Sequence, residues 1–266
     1  MQKPDAVYLL PDTLREVSGI SMIDSTTIAC IQDENGIIFI FDITQKKIIR
    51  QHVFNGNGDY EDIVCVNSTL YILRSDGTLF EVSDYASKNY KTTIYPTGIP
   101  ARNNEGLCYD ADKDQLFIAC KSKAGKGRLY KDRRLIFSFD LKRKILSLEP
   151  VFDFSVNMLE KFALLEQIPL PMKKKKKHQK EEETISLKPS AIAIHPLTKK
   201  VFLLSADEYL LFIFDKTGTI EHIELLDKNL FAKAEGITFL PDGTMFISNE
   251  AVSQKATLLE FKPINK

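Results

Sequence analysis

The sequence predicts an all-β fold, a five-bladed β-propeller with four strands in each blade. Five segments of similar pattern begin around aliphatic residues, at Ile20, Ile63, Leu107, Ile192 and Ile237. Their spacings are 43, 44, 85 and 45 residues, and three of these four match the length of a propeller blade. Each aliphatic residue is followed by short β-rich runs of alternating polarity, with turn signals between them. This repeat indicates blades arranged around one axis.

The composition fits one folded globule and excludes several classes of protein. The 266 residues contain 36 Lys and Arg against 36 Asp and Glu, so the formal net charge is zero. A neutral chain argues against a nucleic-acid-binding protein, which needs a cationic excess to neutralise phosphates. No apolar run in the sequence approaches the roughly 18 residues of a membrane-spanning helix. We therefore expect a single monomeric domain over residues 1–266, with no nucleic-acid partner.

The strand pattern predicts the blades in order along the chain. They are expected at residues 18–56, 61–96, 105–154, 190–227 and 235–261. The last of these units ends after its third strand, and the N-terminal segment 6–10 is a strand without a unit of its own. If this segment supplies the missing fourth strand of the last blade, it closes the ring without bare strand edges.

The doubled spacing leaves residues 155–187 outside the blade pattern. The first half of this segment has apolar residues at helical spacing, and the second half is a run of charged residues. Neither half resembles four strands, so we interpret the segment as an insertion and favour five blades over six. Lys173–Lys177 are followed by Glu181–Glu183, which favours a solvated surface loop over a nucleic-acid or membrane patch.

Polar residues stand two positions before each aliphatic marker, at the start of the innermost strand of each blade. Radial symmetry brings equivalent positions to one mouth of the central channel. Carboxylates held so close together repel one another unless a cation lies between them. Oxygen ligands without histidine or cysteine favour a hard cation, and flexible geometry favours calcium over magnesium. The predicted calcium ligands are Ser18, Glu61, Glu105, Ser190 and Glu235, with Glu16 as a further carboxylate.

The glutamates also have a structural interpretation, in which they cap backbone groups or face water in the channel. Enzyme motifs are missing from the sequence, which has no GxSxG, P-loop or GxGxxG pattern. The four cysteines lie in apolar strand-like runs without CxxC spacing, so we expect buried thiols and no zinc site. Calcium is therefore the cofactor that the sequence favours, and catalytic residues are not assigned.

Several phrases of the sequence together resemble the SdiA-regulated family of YjiK-like bacterial β-propellers, some of them lipoprotein-like. These phrases are EVSGI at 16–20, NEGL at 104–107, KPSAIAIHP at 188–196, EGI at 235–237 and PDGTMFISNE at 241–250. The resemblance covers the chain from Tyr8 to Phe261. It implies a propeller in the periplasm or at the outer membrane, with membrane attachment only through a lipid anchor on the unprocessed chain. It implies no defined activity.

Two functions remain open at this point. The first is a binding or scaffold propeller of the cell envelope, with calcium at the channel mouth and an unidentified small molecule or protein as partner. The second is a calcium-dependent hydrolase of esters, lactones or phosphoesters. Its basis is the Glu-Gly pair at Glu105 and Glu235, which is similar to that of gluconolactonase-like propellers, where such a glutamate holds the catalytic metal. The sequence shows no general base at a matching position, so enzymatic activity is left open.

Overall fold

The computed structural model describes residues 3–125, 127, 130–174 and 181–263 of the chain. It is a five-bladed β-propeller, as the repeat predicts, and each blade is an antiparallel meander that runs outward from the axis. The second and third strands of the blades are apolar along most of their length, because neighbouring blades cover both of their faces. In β4 (Ile37–Asp42), for example, every residue but the first is buried.

The strands follow one another along the chain in blade order. The N-terminal strand is β1 (Ala6–Leu9), and a 3-10 turn follows it at Asp12–Leu14. Blade 1 consists of β2 (Val17–Met22), β3 (Thr27–Gln32), β4 (Ile37–Asp42) and β5 (Lys47–Val53). Blade 2 consists of β6 (Tyr60–Val66), β7 (Thr69–Arg74), β8 (Thr78–Ser83) and β9 (Lys91–Pro96).

The third blade differs from the others because its outer strand is broken. Blade 3 consists of β10 (Asn104–Asp110), β11 (Gln115–Cys120), β12 (Arg133–Asp140), β13 (Ile145–Leu146) and β14 (Phe152–Ser155). Both β13 and β14 pair with β12, so together they take the place of one fourth strand.

The predicted insertion follows blade 3 directly. It contains α1 (Val156–Leu165) and a hairpin of β15 (Met172–Lys174) and β16 (Glu181–Glu183). Leu159 and Ala163 of the helix are buried in the core between blades 3 and 4. Residues 175–180 of the predicted charged run lie outside the described residues. Among the helices that the structure describes, none is long and apolar enough to cross a membrane.

The last two blades complete the ring. Blade 4 consists of β17 (Ala191–Ile194), β18 (Val201–Ser205), β19 (Leu210–Phe214) and β20 (Ile220–Leu225). Blade 5 consists of β21 (Ala234–Phe239), β22 (Met245–Asn249) and β23 (Thr257–Phe261), and β1 is its fourth strand. The predicted position of the N-terminal strand, as the fourth strand of the last blade, is thus confirmed. The blades form separate sheets, so side-chain packing, with β2 against β21, joins the two ends of the ring.

Asp62 links blade 2 to blade 3 at their innermost strands. Its Oδ2 accepts a hydrogen bond from the backbone N–H of Leu107 over 2.6 Å, and its Oδ1 accepts one from Ile63 over 2.8 Å. Burial raises the pKa of this carboxyl, and the two N–H groups act in the opposite direction. Gly19 of blade 1 packs on the same residue, since a Cβ there would lie 2.5 Å from the Asp62 Cα.

We expect Asp62→Ala to destabilise the protein, because it leaves the buried N–H of Leu107 without its acceptor. The loss should be about 1–3 kcal/mol in the free energy of unfolding, measured by urea denaturation. Asp62→Asn keeps one carbonyl acceptor and should lose less. An alanine variant as stable as the wild type would show that this link contributes nothing.

Candidate functional site

The three axial glutamates share one feature of backbone geometry. In blade 2 the strand register moves from Tyr60 opposite Arg74 to Asp62 opposite Leu73, so Glu61 is an extra residue in β6. The register shifts in the same way around the other two glutamates, between Asn104 and Gly106 and between Ala234 and Gly236. Each glutamate therefore stands at a β-bulge, which redirects a side chain out of the regular sheet pattern.

The first residues of β6 and β10, which precede Glu61 and Glu105, form backbone hydrogen bonds to the preceding blade. The backbone N–H of Tyr60 donates to the carbonyl of Asp33 over 2.8 Å, and that of Asn104 donates to Ser75 over 3.0 Å. These bonds join the start of one innermost strand to the end of the neighbouring second strand. Because the second strands end at this rim, the residues that follow them also face the mouth.

The structure brings the three glutamates together. Burial, followed by the negative charges of Glu105 and Asp59, raises the pKa of Glu61 to about 9; Glu235 adds to the effect, and the positive charge of Lys121 opposes it. Burial also raises the pKa of Glu235 to about 7, with a contribution from Glu105. The carboxyls thus act on one another directly, and part of the group is protonated at neutral pH.

Two lysines lie among these carboxyls, and the sequence interpretation did not include either of them. Lys121 Nζ donates to Glu105 Oε2 over 2.6 Å, and Asn103 Nδ2 donates to Glu105 Oε1 over 2.9 Å. Although burial opposes it, the negative charges of Glu105 and Glu235 raise the pKa of Lys121. Lys233 Nζ lies 3.3 Å from Glu235 Oε1 and also bonds to Glu250.

The positions of the two lysines in the repeat are a signal that sequence reasoning missed. Lys121 immediately follows the second strand of its blade, and Lys233 stands two residues before its glutamate. In blade 2 the same two positions hold Ser75 and Asp59. Among the described residues, Glu61 has no recorded hydrogen bond or ion pair. Blade 2 therefore has an axial glutamate without a lysine of its own.

Acidic groups outnumber basic groups around the mouth as a whole. The charges of Glu16, Glu250 and Glu34 contribute, after burial, to a raised pKa of Asp33. Lys188 pairs with Asp207 over 2.9 Å at the same rim. The acidic side chains that act on one another here are Glu16, Asp33, Glu34, Asp59, Glu61, Glu105, Asp207, Glu235 and Glu250, and the basic ones are Lys121, Lys188 and Lys233.

The remaining predicted ligands have other surroundings. The Ser190 hydroxyl donates to the carbonyl of Ala234 over 2.9 Å and accepts from the N–H of Ala206, so it connects blades 4 and 5. Ser18 is half-buried, with its carbonyl beside Gly236. Glu16 lies near Asp33, and its negative charge contributes to the raised pKa of that residue.

The grouping of the acidic side chains shows whether they could hold the predicted calcium ion. In the described part of the chain, no three His, Cys, Asp or Glu side chains are grouped so as to hold a metal ion. One oxygen of Glu105 is already bonded to Lys121. The side chains as placed thus do not form a calcium site, and the ligand roles of the six predicted residues stay a prediction.

Comparison with solved structures places the chain among known propellers. Myxococcus xanthus glutaminyl cyclase superposes with a TM-score of 0.63 at 14% identity, over 97% of this chain and 94% of that one. A Bacteroides thetaiotaomicron protein of unknown function gives 0.55 at 11% identity, over 88% of this chain, which spans about half (52%) of that protein. The nidogen–laminin complex gives 0.52 at 10% identity, over 93% and 80%. At these identities the likeness concerns the fold.

Sequence comparison identifies the family. No curated protein sequence matches the chain. The model of the SdiA-regulated family matches residues 9–252, which is most of the sequence and covers parts of all five blades. The protein belongs to the SdiA-regulated family.

Proposed function

We propose that this protein is a binding propeller of the bacterial cell envelope whose channel mouth takes a cation at Glu61. The cation is a calcium ion or the ammonium group of a ligand. One observation carries the proposal. Among the described residues, Glu61 is the axial glutamate without an ion-pair partner, and its pKa is raised to about 9 by burial and by neighbouring carboxylates.

The contacts of the other two glutamates indicate which type of group the channel mouth binds. Glu105 and Glu235 each contact an ammonium group, from Lys121 and Lys233 respectively. A cation beside Glu61 would take the equivalent place in blade 2, where the chain supplies Asp59 and Ser75. It would offset the repulsion among the carboxylates and favour the ionised form of Glu61.

An ammonium group is the less demanding of the two ligands. It needs a few oxygen acceptors, and the Glu61 and Asp59 carboxyls supply them from one blade. Calcium prefers six to eight oxygen ligands. Its binding would need a regrouping of the acidic side chains around Glu61, so calcium is the more demanding of the two probes.

Location and assembly are parts of the proposal that rest on other grounds. Residence in the periplasm or at the outer membrane rests on the resemblance to envelope proteins of the family. The monomeric state rests on a core complete within one chain. Cell fractionation and size-exclusion chromatography with light scattering test these two parts.

A second candidate function is acid–base catalysis at the same mouth. It is favoured by the juxtaposition of Glu61, a carboxyl that keeps its proton at neutral pH, and Glu105, which is paired with Lys121. Carboxyls with different proton affinities in one cleft are typical of enzyme sites. A screen of esters, lactones and phosphoesters, together with the cyclisation of glutaminyl peptides suggested by one structural neighbour, should show no turnover if binding is the function. Turnover abolished by Glu61→Gln would support the enzyme instead.

We expect cation binding to depend on pH, because binding displaces the proton of Glu61. Calcium chloride and, separately, spermidine are titrated into the protein by calorimetry at pH 6.5, 7.5 and 8.5. Affinity should rise by up to about tenfold per pH unit across this range. Glu61→Gln should weaken binding and reduce the pH dependence, leaving the part due to Glu235, whose pKa is raised to about 7.

Glu149→Gln, which changes an exposed carboxyl at the outer edge of blade 3, is the matched control and should bind as the wild type does. Binding of spermidine alone identifies the ammonium ligand, and binding of calcium alone identifies the metal. If neither probe binds, or if Glu61→Gln binds both as well as the wild type, the proposal is wrong.

We also expect Glu61 to lower the stability of the protein at neutral and alkaline pH. Its folded pKa of about 9 exceeds its ordinary value of 4.5, so its contribution is most favourable below pH 4.5 and is lost as pH rises toward 9. Glu61→Gln removes this penalty. By scanning calorimetry its Tm should exceed that of the wild type by at least ~2 °C at pH 8. The two proteins should converge near pH 4, and a difference independent of pH would contradict the assignment.

A further inference from the structure

A cleft of about 560 Å³ lies between blades 3 and 4, at the rim opposite the channel mouth. It is bounded by the ends of β10 and β17, whereas the glutamates stand at the starts of the innermost strands. Its apolar wall is formed by Phe117, Val151, Phe152, Ile194 and Val201, and its edge carries Lys113, Lys199 and Lys216.

The broken outer strand of blade 3 shapes this cleft. Phe152, the first residue of β14, turns its ring toward Phe117, with the centroids 5.5 Å apart in an edge-to-face arrangement. On the other side the ring packs against Gly218, where φ is +88° and a Cβ would lie 2.7 Å from the Phe152 Cδ1. The apolar wall is therefore held in place from both blades.

The basic edge of the cleft is only partly neutralised. Its three lysines come from three different turns. Lys199 Nζ lies 3.1 Å from Asp112 Oδ1, and Asp110 accepts a hydrogen bond from the Gln115 side chain. For Lys113 and Lys216, both exposed, the structure records no ion-pair partner among the described residues. Two ammonium groups are thus available next to an apolar wall.

A smaller cavity adjoins the cleft on the side of the axis. The cleft shares Tyr109, Ile194 and Pro196 with a cavity of about 160 Å³ enclosed by the innermost strands. The exposed surface of this axial cavity is more polar than apolar, so the apolar wall belongs to the cleft itself.

We propose that this cleft binds an amphiphilic anion of the long-chain carboxylate class. The carboxylate lies between Lys113 and Lys216, and the alkyl chain lies along the apolar wall of the cleft, over Phe152 and Ile194. The charge of the lysines selects an anionic head group, and the apolar wall and the volume of about 560 Å³ accommodate a long tail. This site is separate from the cation site at Glu61, and neither proposal depends on the other.

Isothermal titration calorimetry with octanoate and dodecanoate, both below their micelle concentrations, tests the proposal. Dodecanoate should bind at least about tenfold more tightly than octanoate, because each added methylene buries further apolar surface. The double variant Lys113→Glu and Lys216→Glu should weaken dodecanoate binding at least tenfold. Dodecyltrimethylammonium, which has the same tail and the opposite charge, should bind the wild type at least tenfold more weakly than dodecanoate.

The matched control is Lys142→Glu, which reverses the charge of an exposed lysine in another turn of blade 3 and should leave binding unchanged. Circular dichroism establishes that each variant is folded. The proposal is overturned if dodecanoate does not bind, if octanoate binds equally well, or if the folded double variant binds as the wild type does. Equal binding of the cationic amphiphile would likewise overturn it, since that result indicates unselective adsorption.

Discussion

Partial burial of three carboxyls around one axis is the constraint on which the functional end of this propeller depends. Each carboxyl loses water, and each repels the other two, so the ionised form of all three is unfavourable. The chain compensates Glu105 and Glu235 with lysines from their own blades. Among the described residues of blade 2, no lysine pairs with Glu61, and the pKa of this glutamate is raised to about 9. The proposed cation site rests on this difference between blade 2 and blades 3 and 5.

Elsewhere at the innermost strands, polar side chains serve to hold the blades together. Asp62 receives a backbone N–H from blade 3, and Ser190 bonds to a backbone carbonyl of blade 5. Because the blades are separate sheets, such bonds supplement the apolar cores that fill the spaces between them. The same ring of positions therefore contains residues of two kinds, those that join blades and those that face the channel mouth.

The two proposed sites lie at opposite rims of the propeller and differ in chemical character. The mouth is acidic, with its lysines already bound to carboxylates, whereas the cleft between blades 3 and 4 is apolar with a basic edge. The separation of the two sites to opposite rims arises from strand direction. Residues at the starts of the innermost strands and after the second strands meet at one rim, and the turns that join these strands meet at the other.

The sequence by itself determined the five blades, the N-terminal strand in the last of them, the helix after blade 3 and the common height of Glu61, Glu105 and Glu235. All of these depend on a period along the chain, which one sequence displays directly. Only the tertiary structure decided that the glutamates stand at bulges, that Lys121 and Lys233 neutralise two of them, and that Ser190 joins two blades. These features depend on strand register and on contacts between blades. They are set by packing in three dimensions, which the local pattern of residue types does not reveal.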